Sequence, residues 1–228
     1  VDLCVHSLKD VPVLENPALP IGAYPKRAPA CDGMVLPKQQ SFADWNQSLP
    51  VGSASSRRTL QFQMQYPNCT VHPIRGNVLT RLEKLDRGEY GALILAEAGL
   101  QRLGLEHRIT RRFSPTEIVP AAGQGILAVQ GRAGEYTDLL QCLNDPQAAF
   151  CAKIERAVSK ALNGDCTAPI GAYADLQGEQ VTLYGFYAED GIGIKSTLTG
   201  SVTQAESLAN TLAEQLKQQV QAKKEAML

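Results

Sequence analysis

The chain has 228 residues, 44% of them hydrophobic and 20% charged, with a formal net charge of −1. That length can bury an apolar core in one large domain or in two smaller ones, and a balance so near neutrality excludes a general nucleic-acid binder, which would carry a basic excess. There is no membrane-length apolar run and no signal peptide, so neither a membrane nor a nucleic acid is expected as a partner.

Val1 to Val5 is a short apolar run ending at His6-Ser7, a strand running into a loop. Leu19 to Tyr24 and Gly33 to Leu36 are two further strands, separated by a crossing that contains Pro, Lys and Arg. A strand–helix alternation then begins. Leu49 to Gly52 leads into a helix starting near Ser55, Val71 to Ile74 into one near Asn77, and Ala92 to Ala96 into a third with Leu100 and Leu103 on its inner side. Such alternation predicts an α/β layer with a mainly parallel sheet. Glu117 to Gly125, rich in Ala, Gly and Pro, is a second crossing, and Ile126 to Val129 a buried strand. Tyr136 to Leu143 and Ala148 to Leu162 are helical, and Asn163-Gly164-Asp165 stops the second helix and starts a loop. Ala172 to Leu176, Val181 to Tyr187 and Ile194 to Leu198 are strands joined by turns at Gln177-Gly178 and Asp190-Gly191. Leu208, Leu212, Leu216 and Val220 recur every four residues in the tail, an amphipathic helix. The unit from about Ala148 onward is a compact α+β arrangement.

Charge is uneven along the chain. From Arg57 to Arg112 there are nine Arg and one Lys against five acids, a local net of +5. Arginine in excess of lysine suits bidentate recognition of carboxylate or phosphate. Gly52-Ser53-Ala54-Ser55-Ser56-Arg57-Arg58 follows a strand and opens a helix, where free N–H groups attract anions. Arg75-Gly76-Asn77 repeats the device, with Asn77 a natural N-cap and Arg81 one turn inside; Arg102 sits on the third helix. Because strand C-termini of open α/β sheets converge on one crevice, Arg57, Arg58, Arg75 and Arg81 are expected to line a common cleft. Structural ion pairs are the alternative. His6-Ser7-Leu8-Lys9-Asp10-Val11-Pro12 adds an ammonium and a carboxylate at a strand end, a weak signal alone. Gly123-Gln124-Gly125-Ile126-Leu127-Ala128 matches a dinucleotide pattern formally, but it precedes a strand instead of opening a helix. Its glycines are read as a hinge or close-packing site.

The six cysteines, Cys4, Cys31, Cys69, Cys142, Cys151 and Cys166, have irregular spacings without a C-x-x-C pair. They suggest neither zinc nor a disulfide framework, and a reducing, cytoplasmic compartment fits. Cys142 and Cys151 are read as core residues. Cys166 stands in a loop, where a thiol is as readily reactive as inert. Asn68-Cys69-Thr70 matches a glycosylation sequon by chance; no side chains have metal-ligand spacing.

The segments HSLKDVP, GSASSRR, RGNVLTRLEKLDRGEYGALILAEAGLQRLG, VPAAGQG and NGDCTAPIGAYA together resemble porphobilinogen deaminase (hydroxymethylbilane synthase) in order and spacing, over essentially the whole chain. The resemblance implies two α/β domains like those of periplasmic binding proteins, the first incomplete here (1–25 and 121–145) and the second spanning 26–120. A smaller C-terminal α+β domain with a three-stranded sheet follows (146–228). It implies a dipyrromethane cofactor on Cys166 through a thioether, four porphobilinogen units added with loss of ammonia, and hydrolytic release of hydroxymethylbilane for haem biosynthesis. Asp10 corresponds to the catalytic carboxylate, positioned to stabilise the azafulvene cation left when ammonia departs and to handle pyrrole N–H protons. Arg57, Arg58, Arg75, Arg81 and Arg102 correspond to positions that bind the cofactor or the acetate and propionate groups, with Lys9 and Ser55 assisting. A monomer is expected.

Ala54 and Ser56 depart from the commoner Ser and Leu of GTSSLRR, and Asp165 replaces the second Gly before the cysteine. Val1 opens directly on a strand, so a leading segment of the first domain is expected to be missing. The chain alone is then expected to be inactive and protease-sensitive in its first-domain pieces. The competing class is a non-catalytic anion- or solute-binding protein of the periplasmic type, which would share the fold and the arginine cleft. A pyrrole covalently held on Cys166 separates the two.

Overall fold

A computed structural model describes residues 1–14, 16–163 and 169–227. β1 (Leu3–Ser7) runs into a 3-10 turn at Leu8–Asp10, and β2 (Ile21–Ala23) follows. The chain then crosses to β3 (Asp32–Val35). Three strand–helix units come next: β4 (Val51–Ser53) with α1 (Ser56–Gln65), β5 (Val71–Pro73) with α2 (Val78–Asp86), and β6 (Ala92–Ala96) with α3 (Glu97–Arg102). β7 (Ile109–Arg112) precedes a second crossing that leads to β8 (Leu127–Gly131), α4 (Thr137–Leu143) and α5 (Pro146–Ala161). The chain ends with β9 (Ile170–Gln177), β10 (Gln180–Glu189), β11 (Ile192–Ser201) and α6 (Ala205–Glu225).

Among the described residues the strands form three sheets, ordered β1-β8-β2, β5-β4-β6-β3-β7 and β11-β10-β9. The first and third are antiparallel throughout. Local chemistry explains most boundaries. Ser55, Asn77 and Asp145 cap α1, α2 and α5, each side chain accepting from a backbone N–H three residues on. Asp190 and Gly191 take φ of 51° and 79°, the pair of positive values that a two-residue hairpin needs. Leu212, Leu216 and Val220 of α6 are buried at four-residue spacing, as the periodicity predicts.

The central sheet is mixed, not mainly parallel. β4 pairs in parallel with β5 and β6, whereas β3 is antiparallel to both β6 and β7. A helical crossover imposes the parallel arrangement on strands 4 to 6, but β3 arrives by a crossing from another sheet and is free of that constraint. β7, Ile-Thr-Arg-Arg, was not among the expected strands because a single aliphatic side chain leaves no period to read. Leu103 is exposed, since α3 ends at Arg102 and Leu103 falls beyond its buried face. Cys142 is exposed as well: α4 buries Leu140 alone, and the cysteine lies on its outer side. Cys151 is buried, as expected.

The largest apolar cluster does not break at residue 146. Leu8, Ile126 and Ala128 pack with Cys151, Ile154 and Val158 of α5, with Ala172 and Leu183 of the third sheet, and with Leu212 and Leu216 of α6. A polar tie reinforces this joint. Glu155, with no solvent exposure, accepts from Arg27 (2.6 and 3.2 Å), from the backbone N–H of Gly123 (2.7 Å) and from that of Ala174 (2.9 Å). One carboxylate thus holds both crossings against the third sheet. Glu155→Gln keeps the size but leaves Arg27 without its counter-charge, and removing one partner of a buried pair costs about 3–5 kcal/mol. Urea denaturation should show a loss in that range; a change below about 1 kcal/mol, the scale of an exposed pair, would mean the contact is not structural.

Candidate functional site

Both crossings converge on the start of α1. The first ends at Asp32, the opening residue of β3 and 0% exposed. Its Oδ2 accepts from Arg57 Nη2 at 2.8 Å and its Oδ1 from Arg58 Nε at 2.9 Å. The second crossing contributes Gln124, 1% exposed. Its Nε2 donates to the Ala30 carbonyl (2.6 Å) and to Asp32 Oδ1 (2.9 Å), and its Oε1 accepts from Arg58 Nη2 (3.2 Å) and Lys9 Nζ (3.5 Å). Arg57 also donates to the Val119 carbonyl, which Gln61 holds from both sides through Val119 N–H and C=O.

The glycines flanking Gln124 make this convergence possible. Gly123 and Gly125 have φ of 74° and 86°. A Cβ on Gly123 would lie 2.6 Å from Leu8 Cγ, and one on Gly125 would lie 2.4 Å from the Ala28 carbonyl oxygen. Of the two readings of these glycines, hinge or close-packing site, the contacts support close packing. The glutamine between them was the residue that pattern-reading passed over.

Above this network opens a cavity of about 500 Å³, lined by Lys9, Asp10, Ser55, Ser56, Arg57, Arg58, Arg81 and Gln124 among others. The volume suits a small-molecule site. Arg57 and Arg58 are only 3% and 6% exposed, so their charges act in a poorly solvated setting. Lys9, Arg57, Arg58 and Arg81 face two carboxylates, Asp10 at the rim and Asp32 beneath, which leaves a formal +2. Such a site favours a ligand with two negative charges.

Two smaller cavities adjoin it. One of about 340 Å³ holds Arg75 with Ser53 to Ser56 at the α1 N-terminus. The other, about 80 Å³, joins Lys9, Ser55 and Arg57 to Ser159, Arg156 and Ile170. Ser55 lines all three, and it caps α1 through Arg58 N–H.

The structure thus brings Lys9, Asp10, Ser55, Arg57, Arg58 and Arg81 together around one cavity. Arg81 is anchored by donation to the Gly76 carbonyl at 2.7 Å. Arg75 lies in the neighbouring cavity, exposed. Arg102 is not part of the large cavity's lining; its Nη2 donates to the Gly125 carbonyl at 3.0 Å, beside the crossing. Cys166 lies outside the described residues. Asp32 and Gln124 were missed because an acid in a crossing and an amide between glycines carry no pattern; only the doubled arginine hinted at a buried counter-charge.

Fold and cavity define a class: an α/β protein with crossed segments and an arginine-lined cavity. Residues 1–139 match the family model described as porphobilinogen deaminase, dipyromethane cofactor binding domain, and residues 149–218 match that of the porphobilinogen deaminase C-terminal domain. The chain is 51% identical over 214 residues to the porphobilinogen deaminase of Acetivibrio thermocellus, covering 93% of this chain and 73% of that protein. It is 47% identical over 218 residues to that of Alkaliphilus oremlandii, covering 95% and 73% respectively. The chain belongs to the porphobilinogen deaminase family. Among solved structures, a Salmonella typhimurium periplasmic binding protein aligns with 57% of the chain and 63% of its own length, at 18% identity and a TM-score of 0.30. A likeness at that level carries no argument here.

The electrostatics of the cleft can be read in titration. Burial would raise the Asp32 carboxyl, but Arg57 and Arg58 outweigh it and bring it to about 2. Burial and then Arg58 pull the Lys9 amine down from 10.5 to about 8, against the opposing pull of Asp32 and Asp10. Between those two values the unfolded chain holds a proton that the folded one has released, so Lys9 makes stability rise with pH across that window. The difference in unfolding free energy between the native protein and Lys9→Met, followed in urea from pH 8 to 10.5, should change steadily in the native protein's favour. A difference independent of pH would place the amine in ordinary solvent.

Proposed function

We propose that the chain is a hydroxymethylbilane synthase, joining porphobilinogen units with loss of ammonia onto a covalently held dipyrromethane and releasing hydroxymethylbilane by hydrolysis. The observation that carries this reading is the +2 cavity at the α1 N-terminus, in a chain of this family. Each pyrrole of the substrate bears one acetate and one propionate, two negative charges that match the cleft's excess. The residues present fit the dipyrromethane group on the same ground: fixed guanidinium donors, a capped helix start and two adjoining cavities that extend the anion-binding surface. When bound, that group supplies the pyrrole carbon to which the next unit is joined.

Arg57, Arg58 and Arg81 bind and orient carboxylates from the cavity floor and wall, with Ser55 at the helix start. Arg75 serves the adjoining cavity, and Arg102 steadies the second crossing through Gly125. Asp10 ends the 3-10 turn at the cavity rim, where its carboxylate stabilises the cation formed as ammonia leaves and accepts pyrrole N–H protons at Oδ. Lys9, next to it, holds part of the anionic load. Cys166 is the attachment residue, and Ile170, four residues beyond it in sequence, lines the small cavity that meets Lys9 and Arg57.

Three domains accompany this reading, 1–25 with 121–145, 26–120, and 146–228, each supported by its own sheet. The protein is a cytoplasmic monomer without membrane or nucleic-acid partners. Its charge of −1 and the irregular cysteine spacings, without a C-x-x-C pair, support that setting. Sedimentation would test the oligomeric state.

Asp10→Asn keeps the size and removes the charge opposite the developing cation, so in the full-length enzyme porphobilinogen turnover should fall by at least ~100-fold with covalent pyrrole still attached. Near-normal turnover would remove Asp10 from the chemistry. For attachment, Cys166→Ser should abolish the added pyrrole mass in an intact-mass spectrum, while Cys31→Ser, Cys69→Ser, Cys142→Ser and Cys151→Ser leave it. Pyrrole on another cysteine would overturn the assignment.

A further inference from the structure

Asp32 is fully buried and does not line the cavity, yet both cavity-floor guanidiniums end on it. Each of its oxygens has an assigned donor: Oδ2 takes Arg57 Nη2, and Oδ1 takes Arg58 Nε and Gln124 Nε2. Gln124 is oriented without ambiguity, because its Nε2 faces two acceptors and its Oε1 faces the donors of Arg58 and Lys9. Two neighbouring guanidiniums in a dry site repel each other, and only a shared carboxylate lets them sit side by side.

We propose that Asp32, oriented by Gln124, is a positioning residue: it sets the spacing and angle at which Arg57 and Arg58 present their remaining N–H donors to the carboxylates of bound pyrroles. The inference rests on the deaminase reading and deepens it. Planar, paired recognition of a carboxylate depends on donor direction as much as on charge. A bare cluster of cations would hold an anion as firmly but in no fixed pose. Asp32 also lowers the clamp's own charge from +2 to +1, so binding depends on geometry more than on bulk attraction, which suits a chain that grows and shifts as units are added. A merely stabilising ion pair has no need to be placed directly beneath the ligand.

Two variants, made in protein of the relatives' full length, separate position from charge. Asp32→Glu keeps the carboxylate and moves it by one methylene. The double change Asp32→Asn with Gln124→Glu keeps one buried negative charge and shifts it across the cluster. We expect each to unfold near the native melting temperature while kcat/KM for porphobilinogen falls at least tenfold, the scale on which an ångström-level misplacement acts. Covalent pyrrole load, read by intact mass, should fall in parallel. A loss smaller than tenfold in a folded variant means that only the charge matters and overturns the proposal. The unsubstituted protein gives a reading that no variant's folding can obscure: the Arg58 Nε–H should give a slowly exchanging NMR signal with and without pyrrole attached, and a rapidly exchanging one overturns the proposal too. Failure of the deaminase reading would look different: protein of the relatives' full length, unsubstituted, with neither turnover nor bound pyrrole.

Discussion

Two guanidiniums share one buried carboxylate where the chain passes twice between its sheets, and most of the molecule's particular features answer to that contact. Charges taken out of water must be paired and hydrogen-bonded or they cost several kcal/mol each. Asp32, Arg57, Arg58 and Gln124 satisfy one another within about 3 Å. To close that ring, the first crossing must end at Asp32 and the second must bring Gln124 to within reach. The second can do so only with Gly123 pressed on Leu8 and Gly125 pressed on the Ala28 carbonyl, in backbone conformations that side chains disfavour.

In the proposed reading, structure and binding are built from the same atoms. Ion pairs and an anion cleft are usually set against each other as readings of an arginine-rich segment, but Arg57 and Arg58 both pair with Asp32 and line the cavity. Each guanidinium has five N–H donors, enough to close the internal network and still face the cavity. Burial matters on both counts, because a poorly solvated charge interacts more strongly with its fixed partner and with an arriving anion. The peripheral arginines are simpler. Arg75 lies exposed in an adjoining cavity, and Arg102 braces the crossing at Gly125.

The C-terminal region is joined to this centre instead of appended to it. Its helix α5 shares an apolar cluster with Leu8, which opens the Asp10 turn, and Ile126, which follows the Gln124 loop. Glu155 of the same helix grips Arg27 and Gly123, one from each crossing. Lys195 on β11 donates to the carbonyls of Thr116 and Glu117 near the start of the second crossing. A displacement of either crossing would have to break contacts with the third sheet as well as with the clamp.

Local sequence was sufficient for whatever depends on neighbours in the chain. The helix start near Ser55, the cap at Asn77, the Asp190-Gly191 hairpin, the four-residue period of α6 and the arginines at two helix starts were all legible, because each obeys a rule spanning only a few residues. The motifs HSLKDVP, GSASSRR and VPAAGQG likewise pointed to the family by their order and spacing. What only tertiary structure decided was pairing over distance. The antiparallel entry of β3, the outward turn of Leu103 and Cys142, and the placing of Arg102 at the crossing carry no signal in the neighbouring residues. Above all, nothing local marks Asp32, 25 and 26 residues from the two arginines it joins, or Gln124, 92 residues from Asp32. Their significance comes from desolvation, and desolvation is a property of the folded chain alone.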